Sequence, residues 1–266
     1  FDVTLFSDGS NIQRKPKGHL YLYPLIAIAA MLAIVFVMDL PHMHKPKQQL
    51  SQTIRIPAGQ RAQMDLPDGS VVWLNSQTTL TYDEDFGKKD RKVTLDGEAY
   101  FEVAHNKEIP FYVQTENIKV QVTGTKFDVC SYKGSNSFIA RLIEGSINLL
   151  TNNAKEEKPI TSLTKGKYFS MENGKYKTGE MSSNNALAWM QGIYYFDDVP
   201  FKELLDKIAL YYNYKITVKN PKILENYRCT GKFKDLDGIE HILKVIQKDH
   251  PFKYNIDNEH NKITIE

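Results

Sequence analysis

Cysteine is scarce in this chain, and so is charge of any one sign. The 266 residues include two cysteines, Cys130 and Cys229, with 34 basic and 32 acidic side chains, for a formal net charge of +2. Two cysteines are too few to build a disulfide scaffold. Because the charge is nearly balanced and no basic stripe occurs, the chain has no electrostatic attraction for nucleic acid, and we expect no such partner.

Catalytic motifs are missing as well. The sequence contains no G-x-S-x-G, H-E-x-x-H or C-x-x-C motif and no phosphate-binding glycine loop. The pair His42 and His44 could contact a transition metal, but no third ligand is close in sequence, which favours a solvated linker. We therefore predict that the chain is not an enzyme and has no cofactor or metal site.

One long uncharged run lies near the start of the chain, from Leu20 to Met38. As a helix, this run would rise roughly 28 Å, close to the hydrocarbon thickness of a bilayer. A cleaved signal peptide is the alternative, although its apolar region is typically shorter and no small-x-small cleavage site follows here. We predict a transmembrane helix over 20–39, followed by a periplasmic linker over 40–52.

The orientation of this helix follows from the flanking charges. Arg14, Lys15 and Lys17 precede the run, and two lysines follow it, which favours a cytoplasmic N-terminus. Residues 1–19 would then be cytoplasmic, and everything after the linker would be periplasmic. Since the chain starts with Phe1 rather than Met, two interpretations of the opening FDVTLF stay open: it is the end of a longer cytoplasmic domain, or Phe1 is the true start.

Residues 53–181, which we name the β module, show the two-residue period of β-strands. Ala62 to Leu66 alternates apolar and polar residues, and a Pro-Asp-Gly-Ser turn follows. A second turn pair, Asp96–Gly97, lies between two further strand-like runs. Because no stretch has helical spacing, we predict an all-β domain, either a sandwich or a short β-solenoid.

A family resemblance emerges from the order of five segments in this module. These are GQRAQMDLPDGSVVWLNSQTTLTY (59–82), RKVTLDGEAYFEV (91–103), PFYVQT (110–115), VTGTKFDV (122–129) and RLIEGSINLL (141–150). Together they resemble the periplasmic domain of FecR-like transmembrane signal transducers. The resemblance implies a protein that holds an extracytoplasmic-function sigma factor at its cytoplasmic end and senses a TonB-dependent outer-membrane receptor.

Residues 186–266, which we name the C-terminal module, mix helical and strand patterns. The run from Trp189 to Phe196 predicts a strand, and apolar residues from Phe201 to Tyr212 follow at helical spacing. The same order recurs after Arg228, with Phe233-Lys234-Asp235 repeating Phe196-Asp197-Asp198. Two similar β-α-β units predict a small α+β domain.

The C-terminal module looks like the short N-terminal signalling domain of secretins and TonB-dependent receptors. A domain of this kind also lies at the C-terminal end of many FecR-like proteins of Bacteroidota. Such a domain offers a sheet edge to which a partner strand can be added. We therefore expect the partner-binding site within 186–266, without assigning individual residues.

Two chemical possibilities remain open at this stage. Some FecR-like proteins cleave their own chain at a Gly-Thr bond in this motif, which makes Gly124 and Thr125 self-cleavage candidates; the alternative is that Gly124 relaxes a bend between strands. Cys130 and Cys229 could form a disulfide in the periplasm or stay as buried thiols, and we favour the thiols.

The glutamates Glu98 and Glu144 could be read as a pair of catalytic carboxylates. With no sign that they converge, we interpret both as solvated residues beside turns.

Three functions are compatible with these patterns. The first is an inner-membrane, sigma-regulating signal transducer that senses a TonB-dependent receptor. The second is a periplasmic envelope-assembly anchor that uses its secretin-like module to hold a pore. The third is a membrane-tethered hydrolase of envelope polymers, for which the sequence offers no catalytic motif. We favour the signal transducer.

Overall fold

The computed structural model describes residues 22–43, 50–88, 90–152, 157–181 and 183–266. Residues Gln49–Glu266 form one compact unit, and helix α1 (Leu22–Met43) belongs to a separate one. Residues 1–19, His44 and the side chain of His42 lie outside the described part of the chain.

Helix α1 coincides with most of the long uncharged run. Its large apolar side chains of known exposure are all more than half exposed: Ile26, Ile28, Met31, Leu32, Ile34 and Val35. Among the described residues, no helix is both long enough and apolar enough to cross a membrane. The transmembrane helix over 20–39 therefore stays a prediction.

The β module contains strands and turns and, among its described residues, no helix. Its strands are β1 (Ser51–Arg55), β2 (Ala62–Asp65), β3 (Val71–Leu74), β4 (Thr79–Asp83), β5 (Arg91–Glu102), β6 (Phe111–Gln114), β7 (Ile118–Val122), β8 (Lys126–Ser131), β9 (Ser137–Glu144), β10 (Ser146–Thr151), β11 (Pro159–Thr164), β12 (Lys167–Glu172) and β13 (Lys175–Glu180). They form one curled sheet, with β11-β10-β7-β6-β5-β8-β9-β12-β13 as its longest path. The predicted all-β character is confirmed, although one continuous sheet replaces the two separate sheets of a simple sandwich.

Strand β5 joins the two parts of this sheet. Its first residues pair with β4 and run parallel to β6, whereas its last residues pair with β3 and β8. We name the part with β1, β4, β6, β7, β10 and β11 the first half-sheet, and the part with β2, β3, β8, β9, β12 and β13 the second half-sheet. The change occurs at Gly97, whose φ of +137° suits glycine. The turn predicted at Asp96–Gly97 is therefore wrong, because both residues lie within β5 and pair with neighbouring strands.

The two half-sheets share a single hydrophobic core. Val93 and Phe111 enter it from the first half-sheet, and Phe101 and Phe127 enter it from the second. Phe101 stacks on Phe127 with ring centroids 5.1 Å apart and meets Phe111 edge-on at 5.9 Å. Strand β9 shows the resulting alternation, since every second residue from Phe138 to Leu142 is buried.

The C-terminal module contains the two predicted β-α-β units. Its strands and α-helices are β14 (Ile193–Pro200), α2 (Phe201–Tyr212), β15 (Lys215–Val218), β16 (Arg228–Lys234), α3 (Gly238–Asp249), β17 (Tyr254–Asp257) and β18 (Lys262–Ile265), and two short 3-10 helices span Pro221–Leu224 and Asp235–Asp237. Strand β14 pairs with β16, while β18 lies between β15 and β17 in a three-stranded sheet. Both helices bury one apolar face, which includes Leu204 and Ile208 of α2 and Ile242 and Leu243 of α3.

One element of this module was predicted wrongly. Residues Asn184–Gln191 form a 3-10 helix rather than the start of a strand, so Trp189 is helical and β14 begins at Ile193. Ser183 caps the helix by accepting a hydrogen bond from the Asn185 amide, and Gly192 ends it in the left-handed conformation. These two cap residues decide the local structure against the strand-like pattern.

The change of strand partners at Gly97 gives a test of this architecture. A Cβ atom there would lie 2.4 Å from Thr78 Oγ1 and 2.6 Å from Thr78 Cα, and Thr78 is fully buried. We expect Gly97→Ala to lower the free energy of unfolding by about 3 kcal/mol or more. The backbone at Thr78 must move to make room for the added Cβ atom, and the alanine must adopt a strained φ. Urea unfolding of residues 50–266 measures this loss.

Gly166→Ala is the matched control, because Gly166 also has a positive φ but no atom within 4 Å of the added Cβ. Its expected cost is about 1 kcal/mol, from the backbone conformation alone. Equal losses for the two variants would contradict the steric role assigned to Gly97.

Candidate functional site

The C-terminal module covers the outer face of the second half-sheet. Along β5, residues 91–96 alternate between buried and more exposed, whereas all residues from Gly97 to Phe101 are buried. Phe101 belongs to the core of the β module, and Tyr100 belongs to the core of the C-terminal module, against which Trp73 and Ile143 also pack. This part of β5 is therefore covered on both faces, and we name the contact region the junction.

The β module holds the C-terminal end of helix α2. The carbonyl oxygen of Tyr211 accepts hydrogen bonds from the Gly59 amide at 3.0 Å and from Ser76 Oγ at 2.9 Å. The side-chain amide of Gln77 donates to the carbonyl of Leu210. The last carbonyls of a helix have no partner within the helix, so the bonds to the Tyr211 carbonyl satisfy a group that would otherwise need water. The Leu210 carbonyl also accepts from the Asn213 amide at 3.3 Å.

A second polar contact links the modules beside β14. Arg61 of the β module forms an ion pair with Asp235, and their side chains are 22% and 11% exposed. The main chain at Asp235 is bonded within the C-terminal module, because its carbonyl accepts from Tyr212 Oη at 3.0 Å. Partial burial of a hydrogen-bonded ion pair favours one orientation of the two modules.

A buried cluster of charged side chains lies in the junction itself. Glu98 on β5 is 4% exposed and Asp128 on β8 is fully buried. Arg141 Nη1 lies 2.6 Å from Asp128 Oδ2 and 3.9 Å from Glu98 Oε1. Glu98 Oε2 accepts from Asn75 Nδ2 at 2.6 Å and lies 3.5 Å from the hydroxyl of Tyr211 in α2.

The pKa values of both carboxyl groups are raised. Burial raises the pKa of Glu98 to about 7, the charge of Asp128 adds to this effect, and Arg141 opposes it. Burial also raises the pKa of Asp128, against the opposing effect of Arg141. The Tyr211 hydroxyl has a raised pKa because of burial and the nearby Glu98. Chemically, this arrangement can hold a proton out of contact with solvent.

Glu98 is the residue of the site that the sequence reasoning missed. It was predicted to be solvated beside a turn, and that prediction is wrong, because the C-terminal module covers it. Glu144 is exposed, as predicted. The available signal was the alternation in LDGEAYFEV, which places Glu98 on the same face as Tyr100; what covers that face was not visible in the sequence.

The self-cleavage candidates lie in the bend between β7 and β8. Thr125 is 4% exposed, and its hydroxyl donates to the Ser146 carbonyl at 3.1 Å. A Cβ atom on Gly124 would lie 2.4 Å from His105 Nδ1 and 2.9 Å from His105 Cα. Glycine is therefore required at 124 for close packing, which is a structural reason for the Gly-Thr pair at this bend.

The cysteines and cavities add no further chemistry. Cys130 and Cys229 are both free thiols, as favoured from the sequence. Two shallow cavities, of about 280 and 220 Å³, are found; Arg141 lines the smaller one, but Glu98 and Asp128 line neither. Within the described residues, no three His, Cys, Asp or Glu side chains come together in a way that could hold a metal ion.

The hydrogen bonds between the β module and the end of α2 lead to a prediction for Ser76. Its hydroxyl donates to the Tyr211 carbonyl and accepts from the Gly59 amide at 2.9 Å, and the residue is fully buried. We expect Ser76→Ala to lower the free energy of unfolding of residues 50–266 by about 1 kcal/mol, because the two hydrogen bonds of the buried hydroxyl are lost while the Gly59 amide and the Tyr211 carbonyl keep their bond to each other.

Ser162→Ala serves as the comparison, since the Ser162 hydroxyl also donates a hydrogen bond, to the side-chain oxygen of Asn148, but the residue is exposed. A change within about 0.5 kcal/mol is expected there. If Ser76→Ala were equally mild, the helix end would not depend on the β module. Urea unfolding compares the two variants directly.

Comparison with known proteins agrees with this architecture. The family described as FecR protein matches residues 52–148, and the family described as FecR, C-terminal, matches residues 193–265. Together these matches cover more than half of the chain. No curated protein matches it.

Two crystal structures of a candidate anti-sigma factor from Parabacteroides distasonis, at 2.50 and 1.65 Å resolution, are similar in fold. They are 25% and 24% identical in sequence, each with a TM-score of 0.69, and in each case 81% of this chain aligns with 98% of that one. The two modules, their order and the matched segments lead to one conclusion: this chain belongs to the FecR family.

Proposed function

We propose that this chain is a sigma-regulating signal transducer that senses a TonB-dependent outer-membrane receptor and controls an extracytoplasmic-function sigma factor. The observation that carries the proposal is that both modules match FecR families, while the similar crystal structures are described as an anti-sigma factor. The receptor and the class of sigma factor are the finer parts of the proposal, and they come from the family resemblance.

The receptor contact is proposed at the three-stranded sheet of the C-terminal module. Strands β15 and β17 are its outer strands, and neither pairs with a further strand within the described residues. By contrast, the end of α2 and Asp235 are occupied in the junction. A receptor signalling domain could add a strand to β15 or β17 through backbone hydrogen bonds, which needs no catalytic side chain.

The junction supports a simple mode of transmission. Because the end of α2 and part of β5 are shared between the modules, a partner held by the C-terminal module also acts on the β module. Binding changes the state of the protein only to the extent that the partner binds one state more tightly than another. The proposed output is release or activation of a sigma factor held at the cytoplasmic end of the protein.

The proposal places residues 20–39 in the inner membrane and the compact unit in the periplasm. Its support is the uncharged run from Leu20 to Met38 and the basic residues in front of it. The exposed apolar side chains of α1 agree with a helix whose surroundings are apolar. No nucleic-acid partner is proposed.

The two alternatives differ in what they require of the structure. An envelope-assembly anchor would use the same free strands to bind a secretin. An envelope hydrolase would need carboxyl groups that reach a substrate, whereas Glu98 and Asp128 are buried and line neither cavity. We therefore also propose that the chain is not an enzyme.

Receptor sensing is tested by titrating residues 50–266 with N-terminal signalling domains of TonB-dependent receptors from the same genome, using calorimetry. We expect saturable binding of one domain. Hydrogen exchange of the complex should then show slower exchange of the β15 or β17 amides, because an added strand bonds the edge.

The edge strand β13 is the internal control, because it is exposed but carries Lys175 and Lys177, which discourage strand addition. Its amides should exchange at the same rate with and without the receptor domain. If no receptor domain binds while a secretin domain does, the envelope-anchor function replaces the receptor-sensing one.

The intact chain is the expected form of this protein. Self-cleavage requires the Thr125 hydroxyl to lose its proton and attack the Gly124 carbonyl, but that proton is donated to the Ser146 carbonyl, which is not a base. Mass spectrometry of the purified chain should show one species, as it should for Thr125→Ala. Two fragments separated between 124 and 125 in the wild type, with Thr125→Ala intact, would reverse this conclusion.

A further inference from the structure

The buried cluster in the junction has an uneven charge count. Two carboxyl groups, Glu98 and Asp128, lie beside one guanidinium, Arg141. Arg141 is closer to Asp128, at 2.6 Å, than to Glu98, at 3.9 Å. With both carboxyl groups ionised, one negative charge would be left without a partner, on side chains that are almost completely buried. Such a charge is costly to bury, and binding a proton removes it.

The hydrogen bonds of Glu98 fit a carboxyl group with one proton. Oε2 accepts a bond from Asn75 Nδ2 at 2.6 Å, so this oxygen has a neutral donor in either protonation state. The Tyr211 hydroxyl lies 3.5 Å away, and it comes from the other module. The Glu98 carboxyl group therefore faces the end of α2, at the residue whose carbonyl Gly59 and Ser76 bind.

The other titratable groups around the pair keep their charge state near neutral pH. Arg141 stays protonated because the two carboxylates stabilise its charge. Burial raises the pKa of the surrounding thiol and hydroxyl groups, which therefore stay neutral. The titratable and charged groups that face the pair are Cys130 (β8), Tyr132 (after β8), Arg141 (β9), Tyr100 (β5), Tyr194 (β14), and Lys207 and Tyr211 (α2).

We propose that Glu98 and Asp128 share one proton when the modules are docked, and that the loss of this proton weakens the junction. The inference goes beyond receptor sensing and holds whether or not a receptor binds. It makes the docking of the C-terminal module on the β module sensitive to the pH of the compartment in which the compact unit lies.

The direction of the effect follows from the raised pKa. In the folded protein the pKa of Glu98 is about 7, against 4.5 for an ordinary glutamate. The proton-linked stability is therefore fully present below pH 4.5 and is lost as the pH rises to about 7. Within that window the folding equilibrium constant falls by up to about tenfold for each pH unit, and above it this contribution is constant.

Glu98→Gln tests the proposal because it keeps the size of the side chain and removes the titration. Residues 50–266 are suitable, since they form one compact unit and the crystallised relatives align over almost their whole length with 81% of this chain. We expect the folding equilibrium constant of the wild type, relative to that of Glu98→Gln, to fall by up to about tenfold per unit between about pH 5 and 7.

Glu102→Gln is the matched control, because Glu102 lies on the same strand but its side chain is 35% exposed and pairs with Lys126 at 3.5 Å. Its pH dependence should follow that of the wild type. Parallel pH dependence of the wild type and Glu98→Gln would overturn the proposal.

Two further measurements keep the test decisive if Glu98→Gln folds poorly. Carboxyl ¹³C spectra of the wild type should show one side-chain carboxyl that titrates near neutral pH, and if none titrates above about pH 5.5 the shared proton does not exist. In the wild type, the protection factor of the Gly59 amide against hydrogen exchange, which corrects for the intrinsic effect of pH on the exchange rate, should fall as the pH rises from 5 to 7. An unchanged protection factor over this range would show that the proton does not affect docking.

Discussion

The burial of the second part of β5 on both faces is the constraint on which the rest of this structure depends. One face supplies Phe101 to the core of the β module, and the other supplies Tyr100 to the core of the C-terminal module. A strand covered on both sides cannot be uncovered without exposing apolar surface, at about 25 cal/mol per Å². The two modules are therefore parts of one compact unit rather than two independent domains joined by a linker.

Polar groups in such a location have to be satisfied by the two modules themselves. The end of α2 finds its donors in Gly59, Ser76 and Gln77, and Arg61 finds Asp235. These contacts depend on direction and distance, so they define how the modules are oriented, whereas the apolar contacts around Tyr100 supply most of the attraction. Glu98 and Asp128 are the costly members of this set, because they exceed the one guanidinium available to them.

For a signal transducer, this arrangement favours transmission of a signal through one packed unit over transmission through a hinge between two domains. A partner on β15 or β17 would contact a sheet whose neighbouring helix, α2, ends against the β module. A change at these strands would then alter the stability of the whole compact unit. The coupling passes through packed elements and hydrogen bonds that are present in the structure, not through a flexible segment.

The sequence by itself determined the strands of the β module, the two β-α-β units and the family, because alternation, helical spacing and turn pairs are local patterns that each strand or helix must satisfy alone. It did not reveal the 3-10 helix over 184–191, where two cap residues outweighed a strand-like run, nor the close packing of Gly124 against His105. Only the tertiary structure decided that Glu98 is buried and that β5 joins two half-sheets. Both facts depend on which surfaces meet, and residues brought together from positions 75, 98, 128, 141 and 211 leave no pattern along the chain.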